Sequence, residues 1–290
     1  MTTPSSPNSI SADDIKTEFG ITGPALAMNQ LYRKDSGPVY TGTYSYPGRS
    51  PYNGVTQFTP VTSDEISYDN FRGSTKYTPV SRTVTLYVGS SSWTVPNTLI
   101  GDLTIRVFGG GGQGCHWPSG AAGAAGGGGA KFIGSIPRNT VINYTVARGG
   151  TGISGDSSRY ARDPGDTQFG ESGNSWYMYV PGFGVGAWNM VGGNRGPGTG
   201  STGQGAAGIT FGTGGNGSPE RTSNPGGNAS TIGGGGGGCH WSNGGSGADS
   251  GGSGGSSGSV GVWPGGGGAG NNSGGMPSGA DGAIIITGTW

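Results

Sequence analysis

Charge is scarce in this chain. Fifteen Lys plus Arg against fifteen Asp plus Glu leave a net charge of zero, and charged residues make up 10% of the 290. No basic stripe exists, so a nucleic-acid backbone is not an expected partner. Cysteine is scarcer still, at two in the whole chain, which excludes a disulfide framework. No apolar run approaches the ~20 residues that a membrane-spanning helix needs, so membrane insertion is not expected. The opening Met1-Thr-Thr-Pro-Ser-Ser-Pro7 lacks the basic and apolar regions of a secretory signal, so any exit from a cell is expected to use another route. Large aliphatic side chains are few, and order has to come from main-chain bonding and assembly, which makes a homo-oligomer the expectation.

What the chain has is glycine: 70 Gly, beside 18 Pro. At that level low-complexity disorder is the default reading. Against it stand 7 Trp, 12 Tyr and 8 Phe, which disordered segments lack. Two Gly-dominated runs, 109–114 and 233–238, deliver the same triplet, Cys115-His116-Trp117 and Cys239-His240-Trp241, and read as equivalent positions in one glycine-packed body. Glycine also recurs every third residue at Gly120, Gly123, Gly126 and Gly129, and again at Gly252, Gly255, Gly258 and Gly261. A period of three belongs to the extended left-handed polyproline-II helix, which makes no hydrogen bonds within itself. Its amides and carbonyls must then be satisfied by neighbouring segments, and glycine lets two backbones approach that closely. The expectation is a bundle of such helices with the Cys-His-Trp turns at one end.

Along the chain, three units are expected. Residues 1–37 form an N-terminal attachment unit with short helices: Ser11 and Asp14 cap a first turn that carries Ile15 and Phe19 on one face and stops at Gly20, and a second short piece covers 26–32. Residues 38–81, rich in Pro, Tyr, Gly and Thr, read as an extended linker or docking segment. Residues 82–290 form a glycine-rich β domain. Period-two alternation predicts strands at 83–88, 93–96, 103–108, 130–136, 140–147, 176–180 and 283–290. The fold class is therefore mainly β, a β-sandwich with long polyglycine-II-like connections. Segments richer in large side chains, 153–164, 187–195, 218–225 and 260–264, read as loop tips.

The ordered succession Trp93-Thr-Val-Pro96, Val107-Phe-Gly-Gly-Gly-Gly112, Val141-Ile-Asn-Tyr-Thr-Val-Ala-Arg-Gly-Gly150, Asp166-Thr-Gln-Phe-Gly170 and Gly282-Ala-Ile-Ile-Ile286 resembles the glycine-rich domain of bacteriophage tail-fibre and tail-tip proteins over about residues 82–290. Ile10-Ser-Ala-Asp-Asp-Ile-Lys-Thr-Glu-Phe-Gly20 is similar to short segments that attach subunits to phage tails. The resemblance implies a virion component of the tail, assembled in the host cytoplasm, with residues 1–80 meeting other tail, fibre or baseplate proteins. It is more distantly similar to adhesins whose loops contact a bacterial outer-membrane protein or lipopolysaccharide. The alternative is a purely architectural tail-tip or baseplate subunit that touches no receptor. The Cys-His-Trp pair is not part of the family pattern.

Rigid aromatics on glycine-rich tips suit receptor binding. Tyr160, Trp188, Met190 and Trp263 are candidates, joined by Trp117 and Trp241; the alternative for each is packing in the bundle or at a subunit contact. The group Arg148, Arg159 and Arg162 could face acidic lipopolysaccharide or simply solvent. Cys115, His116, Cys239 and His240 hold the inventory of a tetrahedral zinc site. A Cys115–Cys239 disulfide is an alternative, and plain packing of the paired turns under Trp117 and Trp241 is the simplest reading. No other cofactor is expected. Gly-x-Gly-x-x-Gly occurs without the strand before and helix after that a nucleotide site requires. No Ser, His and Asp are placed to activate a nucleophile, so the chain is not expected to be an enzyme. Asp163 and Asp166 read as turn formers around Pro164-Gly165.

Overall fold

A computed structural model describes residues 80–114, 122–151, 165–182, 190–191, 194–195, 202–219, 224–239, 242–271 and 277–290. The helices expected at 11–20 and 26–32, and the linker up to residue 79, lie outside them. Among the described residues there is no helix; there are strands β1 (Ser81–Leu86), β2 (Gly89–Thr94), β3 (Ile100–Phe108), β4 (Gly129–Gly134), β5 (Val141–Val146), β6 (Thr167–Phe169), β7 (Met178–Val180), β8 (Met190–Val191), β9 (Asn194–Arg195), β10 (Gln204–Gly205), β11 (Thr210–Gly212) and β12 (Ala283–Thr289).

The domain is mainly β, with two five-stranded antiparallel sheets. The first runs β1-β12-β3-β4-β11 and the second β10-β7-β6-β5-β2, while β8 and β9 form a separate hairpin within the stretch 187–195. Several expected strands shift: the one placed at 83–88 is Ser81–Leu86, which leaves Tyr87 beyond its end, and the one placed at 103–108 begins at Ile100. The one placed at 93–96 begins at Gly89, because pairing with β5 from Gly89–Val146 to Thr94–Val141 draws Gly89-Ser-Ser-Ser92 into the ladder. The one placed at 176–180 begins at Met178, because Trp176 sits in a turn closed by the Tyr177 amide donating to Asn174 O.

Period-two alternation decides which side chains are inside. Leu103, Ile105 and Val107 of β3 and Ile284 and Ile286 of β12 meet Ile142 and Val146 of β5, Phe169 of β6, and Met178 and Val180 of β7 in one apolar cluster shared by both sheets. Each of the larger buried side chains contributes about 1.5–3 kcal/mol relative to exposure. Phe108 and Ala283 point the other way and are buried on the outer face of the first sheet, against Ile232 and the partly buried Ile285.

That outer face is also where the glycine-rich segments attach. Arg106 and Lys131 stand directly opposite each other on β3 and β4, a repulsive pair if left alone. Asp249, from a turn between two glycine segments, accepts from Arg106 Nε at 2.9 Å and pairs with Lys131 Nζ at 2.9 Å. Burial alone would push the Asp249 carboxyl up, but the hydrogen bonds from Lys131 and Arg106 and their two positive charges outweigh it and hold the group below its ordinary value.

Beyond this contact, strands give way to segments held by backbone bonds between one another. Segment 233–239 is the centre. The Gly234 and Gly237 amides donate to Gly127 and Ala124 of one neighbour; Gly235 and Gly238 donate to Gly252 and Gly255 of a second; Gly236 donates to Gly227 of a third. Its carbonyls behave likewise. Gly234 and Gly237 accept from Gly215 and Ser218, Gly235 and Gly238 from Gly267 and Gly270, and Gly233 and Gly236 from Ala248 and Gly245. Direction therefore repeats every third residue for donors and for acceptors, and segments 122–128, 251–256, 224–230, 214–218, 265–270 and 243–248 surround the centre.

This packing explains the glycine pattern. A methyl built at any of Gly234, Gly235, Gly236, Gly237 or Gly238 would overlap a carbonyl oxygen of Gly265, Gly245, Asn216, Gly268 or Ser242 respectively, so every position of the central run needs glycine. Segment 251–256 lies at the periphery: a methyl at Gly252 or Gly255 would overlap Val262 O or Ser259 O, whereas Ser253 between them is exposed. A methyl at Gly251 or Gly254 would overlap Gly233 O or Gly236 O, so two positions in three need glycine and the third, facing solvent, does not.

The body has two ends. Bonds from Gly109 to Gly128, Gly265 to Asp281 and Gly282 to Ala147 lie beside the sheets; those from Gly114 to Pro277, Gly123 to Ser218, Gly270 to Gly238 and Gly258 to Gly270 lie at the far end. Segments 109–114 and 233–239 run the same way, since both are antiparallel to 122–128.

Candidate functional site

Trp263, expected on a tip, sits at the sheet end. The chain descends from Ser259, whose carbonyl accepts from Ala269, to Val262, whose amide donates to Ser253 O, and turns at 263–265 next to Asp281 and Gly282. The Trp263 indole Nε1 donates to Gly282 O at 3.3 Å, and its ring stacks on Tyr87 with centroids 5.8 Å apart and planes 27° apart. Tyr87 is 66% exposed and Trp263 42%, with Val260 and Val262 also exposed beside them. The pair makes an apolar patch next to the sheets. Tyr87 was legible only as a strand residue, because nothing in Thr83–Val88 announces a partner more than 170 residues later in the chain.

Met190 lies in β8, where it pairs with Arg195 across the hairpin. Tyr160, Trp188, Trp117 and Trp241 lie outside the described residues, as do Cys115, His116 and His240. Cys239 is described and buried, at the far end of the central segment. Its amide donates to Ser242 Oγ at 2.9 Å, and that hydroxyl approaches Cys239 Sγ at 3.4 Å and Ser218 Oγ at 3.3 Å. Ser218 Oγ in turn donates to Asn224 O at 2.6 Å. This buried polar cluster ties three segment ends together. Among the described residues no group of three or more His, Cys, Asp or Glu is placed to hold a metal ion.

Of the two aspartates expected in a turn, Asp163 lies outside the described residues. Asp166 orders the entry to β6: it accepts from Tyr179 OH at 2.6 Å and from the Gly182 amide at 3.0 Å. The hydrogen bond to Asp166, then burial and the nearby negative charge, push the Tyr179 phenol up to about 12. Arg148 is exposed, whereas Arg159 and Arg162 lie outside the described residues.

Geometry therefore distinguishes three surfaces: the far end, around Gly114, Ser218, Gly238 and Gly270; the Tyr87–Trp263 patch; and the outer face of the second sheet. No helix among the described residues is long and apolar enough to cross a membrane. The chain matches no known protein-family model and no curated protein.

Proposed function

We propose that this chain is a structural component of a bacteriophage tail, a fibre or tail-tip subunit, that presents loops to a receptor on the host surface. In this reading the two sheets form a β-sandwich base, and the glycine segments form a polyglycine-II-type bundle standing on it. The observation that carries the reading is the central segment 233–239, bonded on all sides with a three-residue repeat. Such a helix rises about 3.1 Å per residue, so seven residues make a rod on the order of 20 Å long. A frame fixed by main-chain bonds holds whatever it carries in shape before contact, and little freedom is lost on binding.

Of the tips read from the sequence, the stretches 153–164, 187–195 and 218–225, and the residues Trp117 and Trp241, are the receptor-facing candidates in this reading. Change in these stretches would alter specificity without disturbing the frame, because most frame bonds run from backbone to backbone. The partner is an outer-membrane protein or lipopolysaccharide, and residues 1–80 join the subunit to other tail proteins.

Antibody raised against the purified chain should label virion tails, and the purified chain should bind host cells and block infection. Replacing Trp117, Trp188 and Trp241 together with Ala should abolish cell binding and leave the far-ultraviolet spectrum unchanged. Unlabelled virions, or cell binding indifferent to these replacements, would sink the proposal.

The Tyr87–Trp263 patch favours a second, architectural role at the sheet end. Exposed apolar surface beside the sheets fits a neighbouring tail subunit, including another copy of this chain. Trp263→Ala should then impair assembly while sparing cell binding.

A further inference from the structure

The outer face of the second sheet carries one polar side chain from each of its five strands in a single cross-strand row. Ser90 stands opposite Thr145, Thr145 opposite Gln168, Gln168 opposite Tyr179, and Tyr179 opposite Gln204. Gln168 lies between buried Thr167 and Phe169, and Tyr179 between buried Met178 and Val180, so alternation turns the row away from the core. At a strand spacing of roughly 4.8 Å, five strands make the row about 19 Å long. Shallow grooves lie at either end. One is lined by Ser90, Ser92, Asn143 and Gln168, the other by Asn174, Tyr177, Tyr179 and Gln204.

None of these side chains is charged, although a solvated sheet face ordinarily carries Lys and Glu. The outer face of the first sheet does carry Arg106 and Lys131. Several groups in the row and its grooves are already held in place. Ser90 and Thr145 hydroxyls meet at 2.9 Å, Gln168 Nε2 donates to Gly170 O at 2.8 Å, Asn143 Nδ2 donates to Glu171 at 3.1 Å, and Tyr179 is fixed by Asp166. Amides and hydroxyls offer both donors and acceptors, which is what a sugar hydroxyl needs, and phenol rings offer a flat surface for the C–H face of a pyranose.

We propose that this face binds a neutral oligosaccharide laid across the five strands, with Tyr177 and Tyr179 against sugar rings and the amides of Asn143, Gln168 and Gln204 bonded to its hydroxyls. An anionic ligand would lose hydration here and meet the Asp166 and Glu171 carboxylates beside the row. A protein partner would look for an apolar centre, which the row lacks. The inference stands apart from the tail assignment, since it concerns a surface other than the receptor-facing candidates and needs no virion.

The test is calorimetric titration of the full chain with maltohexaose, cellohexaose and mannohexaose, with hexagalacturonate as the charged control. At least one neutral hexasaccharide should bind saturably. Tyr179→Ala should weaken it by about tenfold or more through loss of the stacking surface. Gln168→Ala should weaken it by about threefold or more through loss of a hydrogen bond. Tyr179→Phe, which keeps the ring, should stay within about threefold, and the distant Trp263→Ala within about twofold. Failure of all three neutral sugars, equal binding of hexagalacturonate, or indifference to both Tyr179→Ala and Gln168→Ala would each overturn the proposal. Should Tyr179→Ala lose its thermal transition, Gln168→Ala and Gln204→Ala decide alone.

Discussion

The sheets and the glycine body solve the same problem with different chemical groups. Between the sheets, Ile105, Ile286, Phe169 and Met178 are buried against one another, and order comes from side-chain volume. Around segment 233–239 there are few side chains to pack, mostly small ones such as Ala124, Ala125, Cys239 and Ala269, and order comes from amides and carbonyls directed at neighbours in a repeating sequence. The first tolerates a shortened aliphatic side chain at moderate cost, since the ladder stays intact. The second tolerates no added atom, because the space a methyl would take is already occupied by a backbone oxygen.

The contrast can be broken most severely where the two regions meet. Phe108 ends β3 and is buried against Ile232 of the glycine body. Phe108→Ala should cost about 3–5 kcal/mol in denaturant unfolding, removing the joint as well as the contact. Next in size, Gly236→Ala should cost about 3 kcal/mol, at the upper end for overpacking because its obstacle is the Asn216 carbonyl rather than a rotatable side chain. Hydrogen exchange should then show amides at 215, 234 and 237 opening while β3 and β12 stay protected. The same methyl at Gly165, where the nearest atom is the Ala147 Cβ at 3.8 Å, should change stability by less than about 0.5 kcal/mol.

Acid sharpens the comparison differently. The Asp249 carboxyl is held below its ordinary value when folded, so its stabilising effect is fully present above the unfolded value and is lost as pH falls through the folded one. Titration below about pH 4 should loosen the 248–251 turn before the interior of either sheet, and Asp249→Asn should remove that pH step. The smallest of the core effects is expected from Ile286→Val, about 1 kcal/mol, with exchange increasing in β12 and β3 rather than in the glycine segments.

The sheets were largely legible because side chains announce them. Alternation at Leu103–Phe108, Thr140–Ala147 and Ala283–Thr289 marks β3, β5 and β12 to within a few residues. What alternation missed was short or borrowed. Thr167–Phe169 is too brief to show a period, and Gly89-Ser-Ser-Ser92 becomes a strand only because β5 offers it a ladder. In the glycine segments the three-residue spacing is visible, but the partners are not, since glycine carries no side chain by which one segment could select another. Trp263 shows the same limit. Its setting in a glycine-flanked turn was readable; that the turn faces Tyr87 at the sheet end depends on how many times the chain has crossed the body before reaching it.

A three-residue repeat of bond direction also sets which length changes the body can absorb. Inserting three residues in segment 251–256 would return each following amide to the same bearing and add one step at the far end. Inserting one or two would swing every later group by a third or two thirds of a revolution, so that Gly255 no longer met Gly267. Variants of this body should therefore differ in segment length by triplets, as coding sequences do, and a thermal-melting series of one-, two- and three-residue insertions should recover only at the third.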